Sequence, residues 1–382
     1  MAATFISSES VTEGHPDKVC DQISDAVLDA YLEHDPAARV AVEVMASGNT
    51  LHIAGEVTST AHVDIASVAR GVLRRIGYTN PELGFDADGC FILTDLREQS
   101  PDIAQGVSRV GELGAGDQGI FYGFACDETP TLMPAAIHYA HRLTMAQAEA
   151  RKSGRLPWLR PDGKAQVTFR NDADGKPVEL TSLVCSAQHA PDVSREEMLR
   201  GLIEEVIAPT MGRWLTRDTR VLINPTGRFV LGGPAADTGL TGRKLMVDTY
   251  GGVGRHGGGA FSGKDATKLD RTAAYMARRI AKTVVAAKLA DQCEISLAFA
   301  IGQIEPEMVG VRLNARQSVD TDRLAHAIRE VFPLSVSGMI ETLDLRRPLF
   351  EKTAAYGHFG RESEGFVWER VDLTDALLKA YR

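Results

Sequence analysis

The hydrophobic pattern of this 382-residue chain changes period in short blocks, and that switching constrains its fold more than any other feature. Between Pro16 and Leu32, apolar residues recur at Val19, Ile23, Val27 and Tyr31, the i, i+4 stripe of an amphipathic helix. Pro16 suits the first turn of such a helix, where its missing N–H removes no hydrogen bond. Arg39–Ala46 and Leu51–Thr58 then read as two strands about the turn Ser47-Gly48-Asn49-Thr50, a hairpin. Helical spacing returns over Val63–Ile76, Pro134–Lys152, Ser194–Ile207 and Thr321–Val331. Gln166–Arg170, Leu180–Gln188 and Glu294–Ile301 read as strands, with the Pro-rich turn LPWLRPDGK ahead of the first. A long helix with Leu269, Met276, Ile280, Val284 and Ala287 on one face follows a glycine loop that ends at Gly263. Small alternating blocks with hairpin signals between them predict an α+β fold rather than a parallel doubly wound sheet.

The length exceeds one ordinary core, so two or three domains are expected. Hydrophobic residues at 44% and charged ones at 24% exclude wholesale disorder, a collagen-like chain and a coiled-coil rod. Apolar runs such as Ile295–Ile301 fall well short of the ~20 residues that a membrane-spanning helix needs. The start, MAATFISSESVTEGHPDK, has neither a basic cluster nor an apolar run, so no secretory signal is expected. Five scattered cysteines without a C-x-x-C pair fit neither a disulfide framework nor a zinc site, which points to a reducing, cytoplasmic setting.

A net charge of −9 excludes a global basic field for nucleic acid. From Arg243 to Arg271, however, six basic residues face three acidic ones, a local +3 in the most glycine-rich stretch. That combination marks a pocket for an anion. Gly258–Asp265 nearly spells the phosphate loop G-x-x-x-x-G-K-[ST], but Asp265 replaces the hydroxyl, and no apolar strand leads into it. An ordinary P-loop fold is therefore not expected, although glycine N–H groups can still cradle phosphate, with Lys264 and Lys268 one helical turn apart beyond them. Asp270 is placed to hold magnesium. Glu13-Gly14-His15-Pro16-Asp17-Lys18 puts His, Asp and Lys at the start of a helix, whose free N–H groups and dipole attract anions. Glu43 and Glu56 sit in strands among apolar neighbours, where a carboxylate must be paired, metal-bound or turned to solvent. His138 and His141 share a helical face and read as structural, and the three tryptophans as packing residues. Gly111–Gly119, with SPDIAQGVSR before it, reads as a long mobile loop, and Gln99–Gly116 as a lid.

GHPDK at residues 14–18, GAGDQG at 114–119, GGGAFSGKD at 257–265 and TAAYGHFGR at 353–361 together resemble the methionine adenosyltransferase (S-adenosylmethionine synthetase) family. LPWLRPD, INPTGRFV and GLTGRK stand in order between them, so the resemblance covers essentially the whole chain. It implies three similar α+β domains about a pseudo-threefold axis, at residues 1–102, 112–230 and 231–382. It also implies a homodimer with shared active sites, paired into a homotetramer. The implied activity joins ATP, L-methionine and water into S-adenosylmethionine, phosphate and diphosphate, with two Mg2+ and one K+ per site. By position, His15, Lys164, Arg243 and Lys264 match catalytic residues. Asp162, Arg228, Phe229, Asp237, Lys244 and Ala260 match ATP contacts. Glu56, Gln99, Asp117, Asp237 and Lys268 match the methionine side. Asp17 and Asp270 match magnesium ligands, and Glu43 a potassium ligand. Two departures stand out: a shorter stretch between Gln105 and Gly114, and Thr238 where some bacterial members carry cysteine. A phosphotransferase that leaves ADP and a nucleotide sensor without turnover are the competing readings. Product analysis separates the first, and the joint presence of His15, Asp17, Lys264, Lys268 and Asp270 argues against the second.

Overall fold

The computed structural model describes residues 4–98, 108–109 and 112–382. Gln99 and most of the expected lid lie outside the described residues. Three larger sheets organise the chain. The first holds β1 (Thr4–Val11), β8 (Leu159–Asn171), β9 (Pro177–His189) and β10 (Arg220–Ile223), in that order. The second runs β11 (Gly239–Leu240), β2 (Arg39–Ser47), β3 (Thr50–Thr58), β4 (Phe91–Arg97). The third runs β13 (Met308–Asn314), β12 (Gln292–Phe299), β7 (Gly119–Cys126). A two-residue pair, β5 (Ser108–Arg109) and β6 (Glu112–Leu113), completes the set. Among the described residues only β3–β4 and β9–β10 are parallel, so the α+β expectation holds. The β2–β3 hairpin closes as expected, with Ser47 opposite Thr50 and Gly48 at φ +57°.

Each larger sheet is covered by one long helix. α1 (Pro16–Leu32) lies on β2 and β11, with α2 (Ile65–Ile76) beside it. α3 (Ala135–Lys152) lies on β1 and β8. Beyond α4 (Arg195–Leu202), α5 (Ala208–Met211) and α6 (Leu245–Asp248), the helix α7 (Leu269–Ala286) lies on β7 and β12. The result is three helix-on-sheet units, as the pseudo-threefold expectation requires. Their strands are exchanged in a ring: the first third donates β1 to the middle sheet, the middle third donates β7 to the last, and the last third donates β11 to the first. The domain limits expected at 1–102, 112–230 and 231–382 divide the chain, whereas the sheets cross them.

Three local expectations need correction. The Pro-rich turn ends at Trp158, and Leu159–Gly163 already belongs to β8, with a register shift between Leu159 and Gly163 where Pro161 has no N–H to give. The helix expected to reach Ile207 narrows to α4, because Ile203–Ile207 widens into a π turn ahead of Pro209, whose ring cannot fit a regular α turn. α1 has the expected bounds but is not amphipathic in its surroundings: Lys18, Asp21, Ser24 and Asp25 are as fully buried as Val19 and Ile23.

Candidate active site

His15 caps α1, with its backbone extended and Nδ1 accepting the Asp17 N–H at 3.2 Å. A ring nitrogen that accepts carries no proton, so the imidazole proton sits on Nε2. Burial, then Lys244 and Lys164, lower the His15 pKa to about 3, so the ring is a neutral donor. Asp17 accepts the Leu240 N–H at 3.0 Å on one oxygen and meets Lys244 Nζ at 2.5 Å on the other. Burial pushes the Asp17 pKa upward, but Lys244 and the Leu240 N–H outweigh it and hold the carboxyl below its usual range. Arg243 Nε stands 3.6 Å from the same carboxylate. Gly239 makes this approach possible, since a Cβ there would fall 2.2 Å from the Pro16 carbonyl oxygen.

A second wall comes from the irregular start of β8. Asp162 Oδ2 accepts the Gly233 N–H at 2.8 Å, and the Asp162 N–H reaches Gln188 Oε1 at 3.2 Å. The other carboxylate oxygen, Oδ1, is buried without a partner. Burial raises the Asp162 pKa to about 6, against the pull of the Gly233 N–H and Lys164. Lys164 is exposed and pairs in register with Val11, just ahead of the α1 cap. Phe229 is locked to His189 by two bonds, its N–H to Nε2 at 3.1 Å and its carbonyl from the His189 N–H at 2.9 Å. Arg228 and Asp237 beside it are exposed. The fold thus gathers His15, Asp17, Asp162, Lys164, Phe229, Arg243 and Lys244 from three distant stretches.

The glycine loop runs along the second sheet, where Lys264 stands beside Ala41 on the face that carries Glu43 and Glu56, and here the spacing misled. α7 begins only at Leu269, so Lys264 and Lys268 precede the helix rather than riding its first turn. The loop lies along β2, with the Val42 N–H on the Gly263 carbonyl and the Asp265 N–H on the Val40 carbonyl, both at 3.0 Å. Lys264 Nζ meets Asp270 Oδ2 at 2.5 Å, while Lys268 turns to Asp265 at 2.5 Å. Ala260 touches Gly242, which joins this loop to the stretch carrying Arg243 and Lys244. The local charge surplus is met from afar: Asp17, Asp25 and Glu294 pair with Lys244, Arg271 and Arg255.

Glu43 and Glu56 stand exposed on one face of the second sheet, the face turned away from α1. Asp117 is exposed and accepts the neighbouring Gln118 N–H at 2.7 Å. Within one chain these three do not join the pocket at the α1 cap. Sequence reasoning also missed several buried supports. Tyr78 donates to the Gly14 carbonyl at 2.5 Å, and Asp21 and Asp25 anchor neighbouring loops, while Lys18, expected to face an anion, is buried between Asp21 and Asp248. The only signal for Asp21 and Asp25 was the run of acids on α1, which periodicity alone reads as a solvent face.

Family models match the chain along most of its length. The S-adenosylmethionine synthetase N-terminal domain matches residues 3–101, the central domain residues 112–229, and the C-terminal domain residues 231–370. S-adenosylmethionine synthase 1 of Rhodospirillum rubrum is 66% identical over 377 residues, covering 99% of this chain and 98% of the relative. S-adenosylmethionine synthase 1 of Rhodopseudomonas palustris is 64% identical over 378 residues, covering 99% of each. With three domains matched in order and near-complete coverage, the chain belongs to the S-adenosylmethionine synthetase family.

Proposed function

We propose that this chain forms S-adenosylmethionine from ATP, L-methionine and water at the pocket built on the α1 cap. The observation that carries this reading is a neutral, buried histidine beside Lys244 and Arg243 at a helix N-terminus. The methionine sulfur attacks ribose C5′, the C5′–O bond breaks, and the whole triphosphate leaves before hydrolysis to phosphate and diphosphate. A thioether has a lone pair and no proton to lose, so the chemistry needs no general base. The demand falls on the leaving oxygen and its charge. His15 Nε2–H donates toward that oxygen as charge develops. Lys164, Arg243, Lys244 and Lys264 neutralise the triphosphate, and Lys244 and Lys264 exchange a carboxylate partner for phosphate as it binds. Asp162, Arg228, Phe229 and Asp237 hold the nucleoside, with the unpartnered Asp162 oxygen aimed at a donor on it.

Asp17 and Asp270 are our candidates for magnesium. Among the described residues no cluster of three or more His, Cys, Asp or Glu forms a closed metal cage. Single carboxylates fit Mg2+ nevertheless, because it takes most of its ligands from phosphate and water. When bound, the ion supplies positive charge to phosphate oxygens. Glu43 supplies a hard oxygen of the kind that K+ takes. Glu56, Gln99, Asp117 and Lys268 are assigned to methionine.

The partner is a second copy of the chain, giving a homodimer whose sites are shared. The open face that carries Glu43 and Glu56 also exposes Phe91 at 70%, Leu93 at 57%, Met45 at 39% and Leu240 at 37%. That is an apolar sheet face wanting a cover. The setting is read as cytoplasmic, on five buried, unpaired thiols. Incubation with ATP, methionine, Mg2+ and K+ should yield S-adenosylmethionine by mass and no ADP. ADP formation would overturn the reading in favour of phosphoryl transfer, and full activity in EDTA would reject the magnesium assignments.

A further inference from the structure

α1 is lined with carboxylates that bond the main chain of distant loops instead of solvent. Asp17 takes the Leu240 N–H, Asp21 takes the Gly242 N–H at 2.8 Å, and Asp25 takes the Gly263 N–H at 2.8 Å. Ser24 Oγ adds a bond to Thr241 Oγ1 at 2.6 Å. These positions share one side of the helix, one or two turns apart. The loop that Asp17, Asp21 and Ser24 grip, 239–244, carries Arg243 and Lys244. It is closed from its far end as well: Lys18 Nζ, fully buried, sits between Asp21 Oδ2 at 2.9 Å and Asp248 at the end of α6. Asp21 therefore holds both the loop, through Oδ1, and the lysine clamp, through Oδ2.

We propose that Asp21 is a positioning residue for the leaving triphosphate, holding the Gly242 N–H so that Arg243 and Lys244 keep their distance from the α1 cap and His15. Asp21 has no route to substrate of its own. It is fully buried, and both of its oxygens are taken by Gly242 and Lys18. Its effect passes through the backbone of Gly242, one residue before Arg243. A loop freed by even about 1 Å would cost ~10²-fold in the chemical step, because the cations must meet charge where it develops. Methionine affinity should move far less than turnover, since Glu56 and Asp117 stand on β3 and beside β7, away from this bond, and of the methionine-side residues Asp237 alone lies next to the loop. The inference rests on the activity proposed above.

The test isolates the acceptor from the charge. Asp21→Asn alone would set an amide N–H2 against the Lys18 ammonium, so both variants are made with Lys18→Met. Lys18→Met/Asp21→Asn keeps an oxygen for the Gly242 N–H, and Lys18→Met/Asp21→Leu keeps the volume without it. Steady-state S-adenosylmethionine formation is measured for both and for wild type, together with folded fraction by circular dichroism. The Asn double variant should turn over at least about tenfold faster than the Leu one, with methionine KM within about threefold between them. Equal kcat in the two folded variants, a difference confined to KM, or a loss that follows the folded fraction would each overturn the proposal. Wild type in the same assay reports on the activity itself, so the two readings fail separately.

Discussion

Replacing Lys264 by alanine separates a phosphate-binding lysine from a surface ion pair. Its partner is Asp270, and the two side chains are 25% and 33% exposed. A pair so open to water contributes about 0.2–1 kcal/mol, and the Asp270 carboxylate left behind stays solvated. The main-chain tie at this position, the Lys264 carbonyl accepting from Arg271 Nη1 at 3.1 Å, survives in the alanine variant. The loss of stability should therefore stay under about 1 kcal/mol, a melting shift of roughly 1–3 °C. Turnover should respond on another scale. If the ammonium neutralises triphosphate as the C5′–O bond breaks, its loss removes a preorganised charge and costs ~10²–10³ in kcat, roughly 3–4 kcal/mol. The assay is S-adenosylmethionine formation at saturating ATP and methionine, run beside a thermal melt. Near-wild-type kcat would refute the reasoning and leave the glycine loop as a connector. Lys264→Arg should bind ATP and turn over slowly, because a planar fork replaces a compact ammonium.

Gly239→Ala puts a methyl 2.2 Å from the Pro16 carbonyl oxygen, so the loop must retreat from the α1 cap. We expect about 1–3 kcal/mol of destabilisation and a large loss of turnover, and an unchanged enzyme would show that the close approach is dispensable. His141 is held at about 3 against 6.5, first by burial and then by His138 and Arg361. Between those values the unfolded chain binds a proton that the folded one refuses, so acid weakens the fold through this group. His141→Asn should gain on wild type as pH falls from 6.5 toward 3, by up to ~1.4 kcal/mol per pH unit, and a pH-independent difference in urea unfolding would reject it. Leu93→Glu places a charge on the open face of the second sheet, 57% exposed in one chain. The variant should stay folded, sediment as a monomer and lose activity; an active dimer would count against a shared site.

The sequence was most informative where signals are local. α1 and the helix Thr321–Val331 have the bounds read from their stripes, and α7 ends one residue short, because each buries an apolar face of regular period. β1 and β7 carry no readable signal because strands shared between distant thirds have no hairpin turn beside them, while β4 and β13, paired within their own thirds, are missed as well. The same limit applied to the site. His15, Asp17, Lys18 and Lys264 announce themselves by motif, whereas Asp21 and Asp25 look like the wet side of an amphipathic helix. What buries them is backbone from residues 240–263 and the side chains of Asp248 and Arg271, and no helical periodicity carries that information. The position of Lys264 failed for a related reason: the loop's pairing with β2 delays the helix to Leu269.

The ring of exchanged strands governs how this chain can be born. On the ribosome β7, with the sequence GIFYGFAC, emerges long before its neighbour β12, because everything between Cys126 and Gln292 must be made first. At about 5–20 residues per second that gap lasts roughly 10–30 s, with an apolar strand waiting for its pairing edge. β1 waits similarly for β8. Nascent chains halted before residue 292 will therefore be sticky, and two halves cut between Cys126 and Gln292 can rebuild the third sheet only by finding each other. Fragment complementation, rather than independent folding of thirds, is the behaviour such a weave imposes.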